Sequence, residues 1–119
     1  MIVSELKRII KAFGYSFDGF VAAFKSEAAF RWEILIFIIG TIIAIILPVS
    51  LLAKAILISS LIMILLAELV NTAIETIVNR ISKDIHPMSK KAKDIGSLLV
   101  LLSFINAAVV WCAILLHHF

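Results

Sequence analysis

Three polar residues, Glu68, Asn71 and Glu75, interrupt a long apolar stretch of this 119-residue sequence. Their spacing of i, i+3 and i+7 places them on one face of an α-helix, and Asn79 extends that face by a further turn. A carboxylate is able to take a proton from a hydroxyl group, and carboxylate oxygens are able to hold a hard cation such as Mg²⁺. Because ionisable residues are costly inside a membrane helix, this face is a candidate functional site.

The apolar runs around this face predict the elements that must position it. A helix needs about 20 residues to cross the bilayer, and we predict spans at about 30–48, 52–80 and 95–117. An amphipathic segment at about 5–25 precedes them, with apolar residues at steps of three and four and basic residues between. We expect it to lie in the membrane surface, although packing on the protein's own core is an alternative. The predicted fold is a single-domain (1–119) all-α membrane protein with a surface helix and three transmembrane helices.

The composition excludes several other classes of protein. Hydrophobic residues make up 63% of the chain and charged residues 16%, which is too apolar for a soluble domain of this size. There is no G-x-x-x-x-G-K-[ST] loop and no H-E-x-x-H motif. The net charge of +3 is better explained by basic loops near lipid headgroups or nucleotide phosphates than by nucleic acid, so we expect no nucleic-acid partner.

The distribution of basic residues predicts the orientation. Of the 11 Lys and Arg residues, five precede the first span, five lie between the second and third spans, and Lys54 stands alone on the other side. The positive-inside rule then places the N-terminus and the loop at about 80–94 in the cytoplasm. Counting at about 1.5 Å per residue from the outer end puts Glu68 towards the cytoplasmic side, and Glu75 about two turns nearer the cytosol.

Three interpretations of the polar face are open. It could join neighbouring helices in an oligomer, it could belong to a proton-coupled transporter, or it could serve an enzyme at the interface. The surrounding charges favour the enzyme. Glu27 begins the first span on the same side of the membrane as Glu75, and such carboxylates, together with nucleotide phosphates, are ligands that suit Mg²⁺. Lys90, Lys91 and Lys93 stand nearby in the sequence and could meet a polyphosphate.

Four segments resemble the small bacterial membrane diacylglycerol kinases. They are 14–16 (Gly-Tyr-Ser), 27–33 (Glu-Ala-Ala-Phe-Arg-Trp-Glu), 68–75 (Glu-Leu-Val-Asn-Thr-Ala-Ile-Glu) and 92–97 (Ala-Lys-Asp-Ile-Gly-Ser). Trp111-Cys112 is similar to the third span of the Gram-negative branch, and the likeness covers essentially the whole chain in order. The resemblance implies a homotrimer in the bacterial cytoplasmic (inner) membrane that uses ATP and Mg²⁺ to phosphorylate diacylglycerol to phosphatidic acid.

The resemblance also implies residue roles. Glu68 is expected to be the general base, and Glu27 and Glu75 to hold the metal. The residues implied for ATP are Arg8, Tyr15, Glu27, Glu75, Asp84, Ile85, His86, Lys93 and Asp94. Those implied for the lipid are Arg8, Gly14, Tyr15, Ser16, Phe17, Phe24, Phe30, Arg31, Trp32, Glu33, Glu68, Asn71, Ser97 and Trp111.

The chain departs from the family pattern at a few positions outside the carboxylates. Asn79 stands where the family often has an acid, Phe17 and Phe24 where tryptophans are common, and Asp18 where a basic or polar residue is usual. Gram-positive relatives of similar length phosphorylate undecaprenol, so an undecaprenol kinase of the same fold is the alternative function. The segments around Glu27 and Lys93 favour diacylglycerol.

Overall fold

A computed structural model describes residues 1–119 as four α-helices without a strand. They are α1 (Ile2–Ser26), α2 (Ala28–Ile46), α3 (Leu51–Ile81) and α4 (Pro87–His118). The last three are long and apolar enough to cross a membrane. The prediction of an all-α fold with one amphipathic and three membrane-crossing helices is therefore confirmed.

The helix ends follow from local sequence. Helix α2 ends at Ile46, since Pro48 disfavours helical backbone at the residue before it. Ser50 caps α3, its Oγ accepting a hydrogen bond of 3.1 Å from the Ala53 N–H. At the start of α4, His86 Nδ1 accepts from the Met88 N–H at 3.1 Å, and Pro87 occupies a first-turn position that needs no N–H partner.

The helix lengths differ in a way that matters for the site. Helix α2, with 19 residues, is about 28 Å long, close to the thickness of the hydrocarbon layer. Helices α3 and α4 have 31 and 32 residues and are about 46–48 Å long, so they must extend beyond that layer. The short 82–86 connection joins them, so the end of α3 and the start of α4 form one polar extension with Glu75, Asn79 and Lys93 on it.

Helix α3 is the centre of the packing, with α4 and α2 against it and α1 touching α2 near its start. Its buried apolar residues include Leu57, Leu61, Ile64 and Ala67. Only 14 of the 119 residues are buried in the protomer, so most apolar side chains of the spans face outward. In a bilayer those side chains meet lipid or other copies of the chain.

Helix α1 projects away from the other three. The molecule measures 51 × 46 × 24 Å. Three packed helices of about 10 Å diameter would be much narrower than 46 Å, so α1 accounts for the extra width. The apolar face of α1 is exposed along its length, with Phe13 and Phe17 among its aromatic side chains. Its last turn is held by Arg31, whose Nη1 donates to the carbonyl oxygens of Phe24 at 2.6 Å and Lys25 at 3.3 Å.

One hydrogen bond joins α3 and α4 in the half of the bundle nearer the Pro48 turn. Trp111 Nε1 donates to Ser60 Oγ at 3.1 Å, and Ser60 Oγ donates to the Leu57 carbonyl oxygen at 2.6 Å. We expect Trp111→Phe to lower the free energy of unfolding by about 0.5–1.5 kcal/mol, because it removes the donor and leaves the ring volume largely filled.

Unfolding in mixed detergent micelles, followed by circular dichroism during a titration with sodium dodecyl sulfate, measures this difference. Trp32→Phe is the matched control, since the Trp32 side chain is exposed and donates no hydrogen bond in the protomer. Equal losses of stability in the two variants would show that the bond to Ser60 contributes nothing.

Candidate functional site

Three carboxylates, Glu27, Glu33 and Glu75, lie around Glu68 in the half of the bundle opposite the Pro48 turn. Glu68 and Glu33 are nearly fully buried, with 5% and 6% of their surface exposed. Their carboxyl groups are close enough for a hydrogen bond, and the charges of Glu27 and Glu75 also act on Glu68. The predicted base, the two predicted metal ligands and a predicted lipid residue therefore share one site, to which α2, α3 and the α1–α2 junction contribute.

Each of these residues is placed by its element. Glu27 is the single non-helical residue between α1 and α2, with extended backbone. Glu33 lies nearly two turns into α2, on the side that packs against α3. Glu68 and Glu75 lie two turns apart on α3, as their spacing predicts. One helix surface thus presents carboxylates to another along the boundary of the apolar layer.

The negative charges of this cluster have no cationic partner within the protomer. The one salt bridge of the structure joins Lys90 and Asp94, at 2.6 Å, on the surface of α4. Glu33 Oε2 is buried and has no hydrogen-bond donor in the protomer. The cluster is therefore suited to a cation supplied from outside the chain.

The donor set suits a hard divalent ion held partly by the substrate. Mg²⁺ prefers oxygen ligands and is commonly bound by one or two carboxylates together with phosphate oxygens. No three carboxylate, imidazole or thiol groups of the protomer are arranged to surround an ion by themselves. Glu27 and Glu75 both act electrostatically on Glu68, so two carboxylates beside it are available to share such an ion with another molecule, whereas an all-protein cage is absent.

Asn71 connects the carboxylate cluster to α4. It is 9% exposed, and its Nδ2 donates a long hydrogen bond of 3.5 Å to Glu75 Oε1. Its Oδ1 is buried without a partner and points at Gly96. A methyl group on Gly96 would collide with Asn71 Oδ1 and lie 3.6 Å from the Asn71 Cα. Gly96 was not among the predicted site residues, although a glycine in an apolar helix pattern often marks a close backbone approach.

The predicted nucleotide residues near the start of α4 each have a partner in the protomer. Lys93 Nζ donates to Asn79 Oδ1 on α3 at 2.8 Å, and Asp94 accepts from Lys90 one turn away. Asp84, Ile85 and His86 are exposed in the connection that adjoins them. His86 Nδ1 is engaged in capping α4, so its Nε2 is the nitrogen left for another molecule.

A groove of about 490 Å³ separates the second half of α1 from α3. The residues on its α1 side include Ser16, Gly19 and Ala23, and those on its α3 side include Thr72 and Thr76. Thr72 Oγ1 is buried without a hydrogen-bond partner, next in sequence to Asn71. The two threonines and Gly19 are absent from the sequence-predicted site, because a helix pattern does not reveal which face another helix will approach.

The remaining predicted lipid residues are divided between three places. Phe30 is buried at the α1–α2 junction with its ring edge on Phe20, while Phe24 stacks on the same ring at 6.1 Å. Several others are exposed, namely Arg8, Gly14, Tyr15, Ser16, Phe17, Trp32 and Ser97. Arg31 is engaged by the last carbonyl oxygens of α1.

Trp111 lies apart from the carboxylates within the protomer. Its partner Ser60 is eight residues before Glu68 on α3, which corresponds to about 12 Å along the helix. The protomer therefore does not bring Trp111 to the groups that could do chemistry.

Comparison with known proteins identifies the family. A sequence model described as prokaryotic diacylglycerol kinase matches residues 14–115. The chain is 44% identical over 112 residues to a protein of Escherichia coli K12 named diacylglycerol kinase, covering 94% of this chain and 92% of that one. A Pseudomonas aeruginosa protein of the same name is 44% identical over 111 residues, covering 93% and 90% of the two chains. The corresponding Haemophilus influenzae protein is 36% identical over 110 residues, covering 92% and 93%.

These relatives align over nearly the full length of both chains, and the aligned part includes all four carboxylates of the cluster. The resemblance predicted from four short segments is therefore confirmed. With its three membrane-crossing helices and its carboxylate site, this chain belongs to the prokaryotic diacylglycerol kinase family and is a membrane-bound kinase.

Proposed function

We propose that this chain transfers the γ-phosphoryl group of ATP to the primary hydroxyl of diacylglycerol, forming phosphatidic acid and ADP. The observation that carries this proposal is the burial of Glu68 among three other carboxylates at the boundary of the apolar layer. A lipid hydroxyl lies at that depth, whereas ATP approaches from the polar extension of α3 and α4. The substrate named for the similar proteins agrees with this placement.

Glu68 is the group we propose as the general base. Its carboxylate accepts the proton of the lipid hydroxyl as that oxygen forms a bond to the γ-phosphorus. The bond between this phosphorus and the bridging oxygen breaks, and the electron pair leaves with ADP. Positioning and neutralisation of charge are the main requirements of such a transfer, so a small site is sufficient.

Glu27 and Glu75 are the residues we propose as ligands for Mg²⁺. The ion, when bound, would neutralise the phosphate charge that builds up during transfer. Asn71 donates to Glu75 and so helps to fix the orientation of that carboxylate. Glu33 lies beside the base, with its carboxyl group close to that of Glu68.

The nucleotide and the lipid would approach this centre from different sides. We propose that Lys93 and the 84–86 connection contact the nucleotide, with Arg8, Tyr15 and Asp94 as further contacts. The lipid would enter along α1, whose exposed aromatic face suits acyl chains. The groove between α1 and α3 would bring the lipid to the helix that carries Glu68 and Glu75.

We propose a cytoplasmic N-terminus and an assembly of three copies in the bacterial inner membrane. The orientation follows from the basic residues, of which Lys54 alone lies at the opposite end of the bundle. Assembly would cover outward-facing polar groups such as Asn106, which is exposed within the membrane-crossing part of α4. Exposed polar side chains are uncommon on lipid-facing helix surfaces.

Transfer of labelled phosphate tests the proposed function directly. The purified protein in mixed micelles receives ATP labelled at the γ-position and Mg²⁺, with diacylglycerol and undecaprenol offered in separate reactions. We expect label in phosphatidic acid. Label only in undecaprenyl phosphate would replace the proposed substrate, and no label with either lipid, from folded protein, would contradict the proposed reaction and favour a transport assay in vesicles.

Gly96 provides a test of the packing around Asn71. We expect Gly96→Ala to lower kcat on the order of 10–100-fold, since a displaced Asn71 no longer orients Glu75. The assay above measures the effect, and the unfolding temperature shows whether the bundle is intact. Gly40→Ala is the matched control, because a methyl group there also collides with a side chain of α3, Leu61, but away from the carboxylates. Similar activity in both variants would show that the contact of Gly96 with Asn71 is unimportant for the reaction.

A further inference from the structure

A single hydrogen bond between side chains joins α3 and α4 at the polar end of the bundle. Lys93 Nζ on α4 donates to Asn79 Oδ1 on α3 at 2.8 Å. The other such bond between these helices, from Trp111 to Ser60, lies towards their opposite ends. Asn79, although exposed, thus supplies the side-chain acceptor for the ammonium group of Lys93 in the protomer.

The location of this bond relates Lys93 to the carboxylate cluster. Asn71, Glu75 and Asn79 follow one another at intervals of four residues, so they occupy successive turns on one side of α3. The ammonium group held by Asn79 thus lies about one turn beyond Glu75, towards the solvent-exposed end of α3. Lys93 makes no salt bridge with Glu75 or with any other carboxylate of the protomer.

The ammonium group of Lys93 forms no salt bridge in the protomer, so its charge is available to another molecule. Asp94 is next to Lys93 in sequence, but its carboxylate is paired with Lys90 at 2.6 Å. Lysine has a flexible four-carbon side chain that costs about 2 kcal/mol to immobilise fully. Without a fixed acceptor, an ammonium group beside carboxylates is drawn towards them, where it offsets their charge and is lost to an incoming phosphate.

We propose that Asn79 is a positioning residue for nucleotide binding, which holds the Lys93 ammonium group beside the carboxylate cluster, ready to meet the phosphates of ATP. This inference rests on the proposed use of ATP, and it adds a residue that contacts neither substrate. On this view the residue at position 79 needs an acceptor oxygen for Lys93, and it does not need a negative charge.

Binding of a non-hydrolysable ATP analogue with Mg²⁺, measured by calorimetry on the micellar protein, tests the inference. Asn79→Leu keeps the branched shape of the side chain but removes the acceptor, and we expect about fivefold weaker binding, which corresponds to the loss of one ordinary hydrogen bond. Asn79→Gln retains a neutral amide oxygen as acceptor, and we expect binding within about twofold of the parent. The KM for diacylglycerol should change less than about twofold in both variants, because Asn79 positions Lys93 for the nucleotide and not for the lipid.

A double-mutant cycle separates positioning from a general effect on packing. If Asn79 acts through Lys93, Asn79→Leu has no further effect on analogue binding in a Lys93→Ala background. Equal weakening in both backgrounds, or unchanged binding in Asn79→Leu alone, would overturn the inference. If the unsubstituted protein binds the analogue but phosphorylates no diacylglycerol, the proposed substrate is contradicted and the role of Asn79 still stands. If the unsubstituted protein binds no analogue, both the proposed use of ATP and the role of Asn79 are overturned.

Discussion

Replacement of Glu68 by glutamine is expected to lower kcat for lipid phosphorylation by at least about 100-fold, the usual contribution of a positioned general base. Glutamine keeps the volume and the polarity of the buried side chain but cannot take the proton of the lipid hydroxyl. Glu68 is 5% exposed, so water has little access with which to replace the missing base. Initial rates of label transfer at saturating ATP and diacylglycerol measure the effect.

Two controls make this result specific to the chemistry. Binding of a non-hydrolysable ATP analogue by Glu68→Gln should stay within about threefold of the parent, since a base acts mainly in the transition state. Glu5→Gln removes a carboxylate from the exposed start of α1 and should leave kcat within about twofold. Parental turnover in Glu68→Gln would exclude Glu68 as the base.

Replacement of Glu75 by glutamine is expected to raise the free Mg²⁺ concentration for half-maximal activity by at least about tenfold. Loss of groups that merely support metal ligands already costs about 10–100-fold in metal affinity, so loss of a ligand should cost no less. The amide oxygen of glutamine is a weaker ligand for Mg²⁺ because it carries no net charge. Titration of Mg²⁺ at a fixed concentration of ATP, with the ion in excess of the nucleotide, gives the shift.

Glu27→Gln tests whether the two carboxylates act on the same ion. Each single variant should raise the Mg²⁺ requirement, and the double variant should raise it by a factor that differs from the product of the two, as expected for neighbours that share a ligand. Normal Mg²⁺ dependence in Glu75→Gln would show that Glu75 is not a ligand. Normal dependence in Glu27→Gln alone would restrict the metal site to α3.

Apolar periodicity was sufficient to predict the helices, but it missed the parts that leave the membrane. Helix α4 begins at Pro87, eight residues before the predicted span at 95–117, because its first two turns are polar and carry Lys90 and Lys91. A count of apolar residues does not detect such a solvent-exposed extension. Local signals do, since His86 and Pro87 are typical of a helix start. In the same way, Pro48 accounts for the end of α2 at Ile46.

The candidate site could be predicted along one helix, but less well between helices. The spacing of Asn71 and Glu75 indicates a shared face, and the hydrogen bond between them agrees with this. The approach of Glu33 to Glu68 depends on how α2 packs against α3, which periodicity alone does not specify. The same limit explains why the contact of Gly96 with Asn71 was missed. Trp111 was assigned to the lipid by resemblance, and in the protomer its indole instead hydrogen-bonds to Ser60.

The junction between α1 and α2 is a single residue, Glu27, which also belongs to the carboxylate cluster. Helix α1 has 25 residues, so a rotation of about 10° at the junction moves its far end by roughly 6 Å. The same rotation hardly displaces the Cα of Glu27 itself. A change in the angle of α1 would therefore leave the carboxylate of Glu27 close to its place beside Glu68.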